Sequence, residues 1–214
     1  MNERKLIIFG ASGHAKVVIE IARSCGYLPI AVLDDNPALK GTLFAGVEVA
    51  GGKEALPGFL TQGLHHAVVA IGANHARSRV AAWLAEQGCV FPALVHERAW
   101  VSPTAKLGAG TVVMPGAIIN ADAVVGQHVI VNTSASIDHD CRIHDGVHIA
   151  PGVHLCGGVE VGARTLIGVG ASVIPCKKIG ADAVVGGGST VVADINAEAV
   201  VGGSPAHFLS KGMK

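Results

Sequence analysis

The sequence predicts an α/β domain followed by a parallel β-helix, and three observations carry that expectation. The first is a period of six. Val101, Leu107, Val113, Ile119, Val125, Val131, Ile137, Ile143, Ile149, Leu155, Val161, Ile167, Val173, Ile179, Val185 and Val191 are all aliphatic, with no insertion between them. The second is a companion column of mostly small side chains four residues further on, from Ala105 and Thr111 to Ser189 and Ile195. The third lies ahead of the repeat, where an apolar strand, a glycine-rich turn, a helix and a second strand follow one another from Lys5 to Leu33. That order is a βαβ unit.

Lys5–Gly10 reads as a buried strand. Ala15–Ser24 reads as a helix with Val17, Val18 and Ile21 on one face. Gly26 ends it, Pro29–Leu33 forms the second strand, and Asp34-Asp35-Asn36-Pro37 breaks off. Ala67–Ile71 is a further parallel-type strand running into Gly72-Ala73-Asn74. A helix from about Ala76 to Gln87 and a last strand, Cys89–Val95, complete the domain. The expected organisation is therefore 1–92 for the α/β domain, 93–200 for the repeat and 201–214 for a tail. The first rung begins as early as Val95.

A period of six fits neither an α-helix nor an ordinary alternating strand. It is the signature of hexapeptide rungs whose aliphatic column points inward and stacks on itself. Three faces to a coil give 18 residues per coil. Glycines recur at the second place of the rung (Gly108, Gly126, Gly162, Gly168, Gly180, Gly186), where the corners are expected. Lys177 alone breaks the small column. An uncompensated ammonium does not stay in an apolar bore, so a bulged corner turning Lys177 outward is expected.

Composition narrows the function classes. Half the residues are apolar but only 4% aromatic, as suits a bore too narrow for rings, and the formal net charge is zero. Neutrality argues against nucleic acid or an anionic membrane as partner. No apolar run approaches the ~20 residues of a membrane span, and Met1–Lys5 leads into a strand without a secretory signal pattern. The five cysteines, Cys25, Cys89, Cys141, Cys156 and Cys176, show no metal-type pairing. A reduced, cytoplasmic protein is expected, with no metal.

Two groups of residues carry chemistry. Gly10, Ser12, Gly13 and His14 lie where the first strand meets its helix, the place where backbone amides approach a phosphate. Glycines at the first, third and sixth positions would mark a dinucleotide site, but those places hold Gly10, Ser12 and Ala15. A nucleotide diphosphate fits better than NAD. Asp34 and Asp35 end the second strand and Gly72 and Asn74 the third, on the same ligand-binding edge.

In the repeat, His139 stands at an outward corner between Asp138 and Asp140. Flanking carboxylates would hold the ring, fix its tautomer and raise its basicity, which are the requirements of a general base. One coil of 18 residues places Gly157 above His139, about 4.8 Å away. A base beside an open backbone amide is the equipment of acyl transfer with an oxyanion hole. A zinc site is the rival reading, since His128, His139, His144, His148 and His154 cluster. Adding 18 to each lands on no other histidine.

At this point the sequence resembles a known group, the hexapeptide-repeat acyltransferases with a Rossmann-like N-terminal domain. That group includes sialic acid O-acetyltransferases and N-acetyltransferases of nucleotide-linked 4-amino sugars. The resemblance rests on Gly10-Ala-Ser-Gly-His-Ala, Asp34-Asp35, Ile71-Gly72-Ala-Asn74, the sixteen rungs, Asp138-His139-Asp140-Cys141 and Gly203-Ser-Pro-Ala206. It implies a left-handed β-helix, a homotrimer and active sites at the subunit interfaces. It implies His139 as general base, Asp140 as the acid raising its basicity, and the Gly157 amide as oxyanion donor. His148, Val169 and Gly187 would contact acetyl-CoA, while Ser12, Gly13, His14, Asp34 and Asp35 would hold the nucleotide sugar. The expected reaction is acetylation of the 4-amino group of a UDP-linked dideoxy amino sugar by direct attack. O-acetylation of a sialic acid is the alternative, with a zinc hydratase of the gamma carbonic anhydrase type or a non-enzymatic nucleotide-sugar sensor behind it. The chain departs from the pattern at His207, where a basic residue meeting CoA phosphate is usual. Lys177, Lys211 or Lys214 are substitutes for that contact.

Overall fold

The computed structural model describes residues 4–211, and the chain divides into two compact units after Glu97. The first is a Rossmann-like α/β domain. Its sheet runs in the order β3-β4-β2-β1-β5, with β1 at Arg4–Phe9, β2 at Tyr27–Leu33, β3 at Leu43–Phe44, β4 at Val47–Gly51 and β5 at Ala67–Val69. β1 pairs in parallel with both β2 and β5, β2 with β4, and only β3 runs antiparallel. The helices are α1 (Gly13–Ser24), α2 (Leu56–Leu60) and α3 (Asn74–Glu86). Ile7, Phe9 and Leu33 pack with Leu56, Ala81 and Leu84 in one apolar cluster. The alternate strand residues Leu6 and Ile8 are equally buried, toward the other face.

Three details differ from the sequence reading. Cys89–Val95 is not a strand. Val90 bridges to His66 and only Leu94–Val95 is extended, since Pro92 between them has no N–H to give a ladder. Both helices of the βα units begin two residues earlier than expected, at Gly13 and Asn74. The hairpin of β3 and β4 was not expected. It turns through Ala45 and Gly46, both at positive φ, and alanine there gives none of the usual turn signal.

The second unit is a left-handed β-helix. Two-residue strands stack into three parallel sheets, and each partner lies 18 residues away, as in Ile119 with Ile137 and Ile137 with Leu155. Beyond the open first coil the aliphatic column is buried from Val113 to Val191, and Thr111, Ala117, Cys141, Thr165 and Ser189 of the small column are buried with it. Thr111 and Thr165 satisfy their hydroxyls on the carbonyls of Gly126 and Gly180, both at 2.7 Å. The register tightens at the end, where Ile179 meets Ile195 and Val184 meets Val200. Strand His207–Lys211 then closes antiparallel on Ala199–Gly202.

The corners lie elsewhere than expected. From Gly110 to Gly188 every sixth residue has positive φ, and that is the fourth place of the rung. The second-place glycines serve close stacking instead. A Cβ on Gly168 would lie 2.6 Å from the amide of Gly187, and one on Gly162 would overlap the amide of Ala181. Lys177 causes no bulge either. Cys176 takes the ordinary corner at φ 59, and Glu160 and Val161 pair with Lys178 and Ile179 in unbroken register, leaving Lys177 half-buried. Its long apolar stem tolerates the position that its ammonium would not.

Candidate functional site

Asp138, His139 and Asp140 occupy the second, third and fourth places of one rung, so the turn itself displays them. Asp140 takes the positive-φ corner, at φ 60, a conformation that Asp tolerates better than most residues. His139 Nδ1 and Asp140 Oδ2 are 2.8 Å apart. With Asp140 ionised, Nδ1 carries the proton and donates it, leaving Nε2 as the free basic nitrogen. The hydrogen bond to Asp140, and after it the negative charge of Asp138, raise the His139 pKa above its ordinary value.

Asp138 does not hold the ring as expected. Its Oδ1 accepts from the backbone N–H of His139 at 2.8 Å and from Nδ2 of Asn120 at 3.0 Å, one coil below. These two hydrogen bonds hold the Asp138 carboxyl below its usual range. The imidazole lies against Gly157 of the next coil. A Cβ there would sit 2.5 Å from Cε1 and 2.6 Å from Nε2, so only glycine leaves room for the ring. The Gly157 N–H makes no hydrogen bond among the described residues. A basic nitrogen and an uncommitted amide donor therefore adjoin one another.

His148 lies on another face, half-buried, and its Nε2 is 3.1 Å from the Asn132 side-chain amide. Asn132 is itself oriented, since its Oδ1 accepts from the N–H of Thr133 at 2.8 Å. Sequence reasoning missed Asn132 because the pairing crosses from one coil to the next. Val169 and Gly187 stack at one exposed corner, where a Cβ on Gly187 would be 3.0 Å from Cγ1 of Val169. Two of the other clustered histidines pair on the prism surface, His144 with Glu160 at 3.1 Å and His154 with Ser136 at 2.8 Å. No three His, Cys, Asp or Glu side chains among the described residues gather as metal ligands would. The Cys141 thiol is buried and its pKa pushed up to about 11 by that burial, which removes it as a nucleophile.

In the α/β unit the expected residues gather at the carboxyl ends of β1, β2 and β5. Gly10, at φ 113, packs so closely on β5 that a Cβ would lie 2.9 Å from the Ala70 carbonyl. Ser12 and Gly13 are exposed at the start of α1, and the Ser12 hydroxyl does not cap the helix. Asp34 is committed to backbone, its Oδ2 to Ala11 N at 2.8 Å and its Oδ1 to Asn36 N at 2.9 Å. Asp35 is exposed and accepts from Lys53 N at 3.2 Å. Both carboxylates thus shape loops, leaving second lone pairs for a ligand. His14 Nε2 is buried without a hydrogen-bond partner, and burial, aided by the nearby Arg77, lowers its pKa to about 4. Gly72 and Asn74 are both bonded by Arg77, a residue that an exposed-helix reading of the sequence passes over.

His207 is exposed in the last strand, and Lys214 lies outside the described residues. No helix among the described residues is long and apolar enough to cross a membrane.

Comparison with known proteins adds the lineage. The family described as the PglD N-terminal domain matches residues 5–84. A perosamine N-acetyltransferase variant from Caulobacter crescentus, solved with CoA and GDP-perosamine, is 42% identical over 97% of both chains, with a TM-score of 0.94. The acetyltransferase domain of PglB from Neisseria gonorrhoeae, in complex with acetyl coenzyme A, is 38% identical over 97% of this chain and 100% of that one, with a TM-score of 0.91. WeeI from Acinetobacter baumannii shares the fold at 24% identity, a TM-score of 0.85 and coverage of 95% and 99%.

Proposed function

The chain belongs to the hexapeptide-repeat sugar acetyltransferases, and we propose that it transfers the acetyl group of acetyl-CoA to the 4-amino group of a nucleotide-linked dideoxy amino sugar. The observation that carries this reading is the corner of His139. Its ring is fixed by Asp140 and lies 2.8 Å from that carboxylate, beside the uncommitted amide of Gly157. The relatives solved with CoA and GDP-perosamine, and with acetyl-CoA, support the substrate class.

In this reading the acceptor amine attacks the thioester carbonyl directly. His139 Nε2 takes the proton as the C–N bond forms, and the Gly157 N–H donates to the oxygen that becomes negative. The tetrahedral species collapses by breaking the C–S bond, and the imidazolium returns its proton to the departing thiolate. Ser12, Gly13, His14, Asp34, Asp35, Gly72 and Asn74 hold the nucleotide sugar. His148, Val169 and Gly187 line the acetyl-CoA groove, with Lys177 or His207 available to its phosphates. The functional protein is a homotrimer with this groove between subunits, acting in the cytoplasm.

Thiol release from acetyl-CoA, measured against a panel of UDP- and GDP-linked 4-amino sugars and free sialic acid, tests the reading. Turnover on one nucleotide amino sugar is the expected result and identifies the nucleotide. The UDP expectation from sequence stands against the GDP-perosamine of the Caulobacter relative. Turnover on sialic acid alone would overturn N-acetylation.

A further inference from the structure

Arg77 is the largest fully buried side chain among the described residues, 1% exposed in the first turn of α3. Two physical rules oppose it there. A cation near a helix N-terminus works against the helix dipole, and a guanidinium is expensive to remove from water. What offsets both is a specific set of bonds. Nη1 donates to the carbonyls of Ile71 and Gly72 at 3.0 and 2.9 Å, and Nη2 donates to Asn74 Oδ1 at 2.8 Å. Two of these acceptors lie in the loop between β5 and α3, and the third is the side chain of Asn74, the first residue of α3. This segment carries Gly72 and Asn74 on the ligand edge of the sheet, and the residue ahead of α3, Ala73, has no side chain able to cap the helix. The same guanidinium acts electrostatically on His14, across the edge on α1.

We propose that Arg77 is a positioning residue for the acceptor. Its planar fork fixes the Ile71–Asn74 loop in the shape that binds the nucleotide sugar, without itself touching the sugar or acetyl-CoA. A fork that bridges two carbonyls and an amide cannot be replaced by the single point charge of lysine. The proposal rests on the acetyltransferase reading and adds a residue to its acceptor side alone.

The test compares the wild type with Arg77→Lys, which keeps the charge, and Arg77→Met, which keeps neither charge nor fork. Steady-state rates are taken at varied acceptor and varied acetyl-CoA. Both variants should raise the acceptor KM, Arg77→Lys by roughly tenfold and Arg77→Met by more, with the KM for acetyl-CoA within about twofold of wild type. Hydrogen exchange of the unliganded protein should show faster exchange in the peptide spanning 70–76 of Arg77→Lys, with the repeat peptides unchanged. An acceptor KM that stays put, or two KM values that rise together, would overturn the proposal. If the wild type turns over no nucleotide sugar, the function reading fails, and exchange still decides the loop. Protection at 70–76 unaltered by Arg77→Lys would then reject the positioning role.

Discussion

At the scale of the residue, the proposed reaction depends on how one imidazole is held. His139 was legible because two acids flank it and an 18-residue coil puts a glycine over it. The division of labour between the acids was not legible. Asp140 bonds the ring, whereas Asp138 turns back to the His139 backbone and to Asn120, a partner one coil away that no local pattern reveals. The hydrogen bond to Asp140 and then the charge of Asp138 raise the His139 pKa, so a base of this kind is active only above that raised value and rate is lost as pH falls through it. Asp140→Asn removes the larger cause. The acid limb of the kcat–pH profile should therefore move to lower pH, while the plateau falls because the ring is less basic and less well held. His139→Ala should lower kcat by about 10²–10⁴-fold with both substrates still bound. A profile whose acid limb does not move in Asp140→Asn would remove His139 as the titrating base.

At the scale of the element, a rung is six residues with two different demands for glycine. The fourth place needs positive φ, met either by glycine, as at Gly146 and Gly170, or by a strained residue, as at His128, Asp140 and Arg164. The second place carries side chains in many rungs, but where it is Gly108, Gly162, Gly168 or Gly180 the next coil's backbone lies where a Cβ would go. The sixfold aliphatic column was legible since it repeats without interruption. The corner was not, because seven of its residues from Asp122 to Asp182 are not glycine. The two demands predict different penalties. Gly162→Ala drives a methyl into the Ala181 backbone and should cost roughly 1–3 kcal/mol or more, as overpacking does. Gly170→Ala meets nothing within 4 Å and carries only the strain of φ 66, about 1 kcal/mol. Denaturant melts of the two variants check the order, and equal penalties would refute the stacking account.

At the scale of the whole molecule, the expectation of a trimer rests only on the family resemblance, because outward positions of a rung carry no repeat. One feature of the single chain would fit such an assembly. Trp100 is 60% exposed and Ile118, stacked on it in the next coil, is 41% exposed. An indole left that open forgoes apolar burial on the order of 2–3 kcal/mol, and a protein of zero net charge has little long-range repulsion to keep such patches apart. A closed ring of three chains, each face meeting its neighbour, would bury the patch without leaving an open end. The homotrimer proposed above therefore predicts a mass of three chains in sedimentation equilibrium at micromolar concentration. Trp100→Lys should shift that equilibrium toward monomer. Because the proposed acetyl-CoA groove needs two subunits, the same variant should bind acetyl-CoA more weakly as it dissociates, while the α/β unit keeps its hold on nucleotide. A monomeric wild type with full turnover would show that His139 and Gly157 complete the site within one chain, and the trimer would then be irrelevant to catalysis.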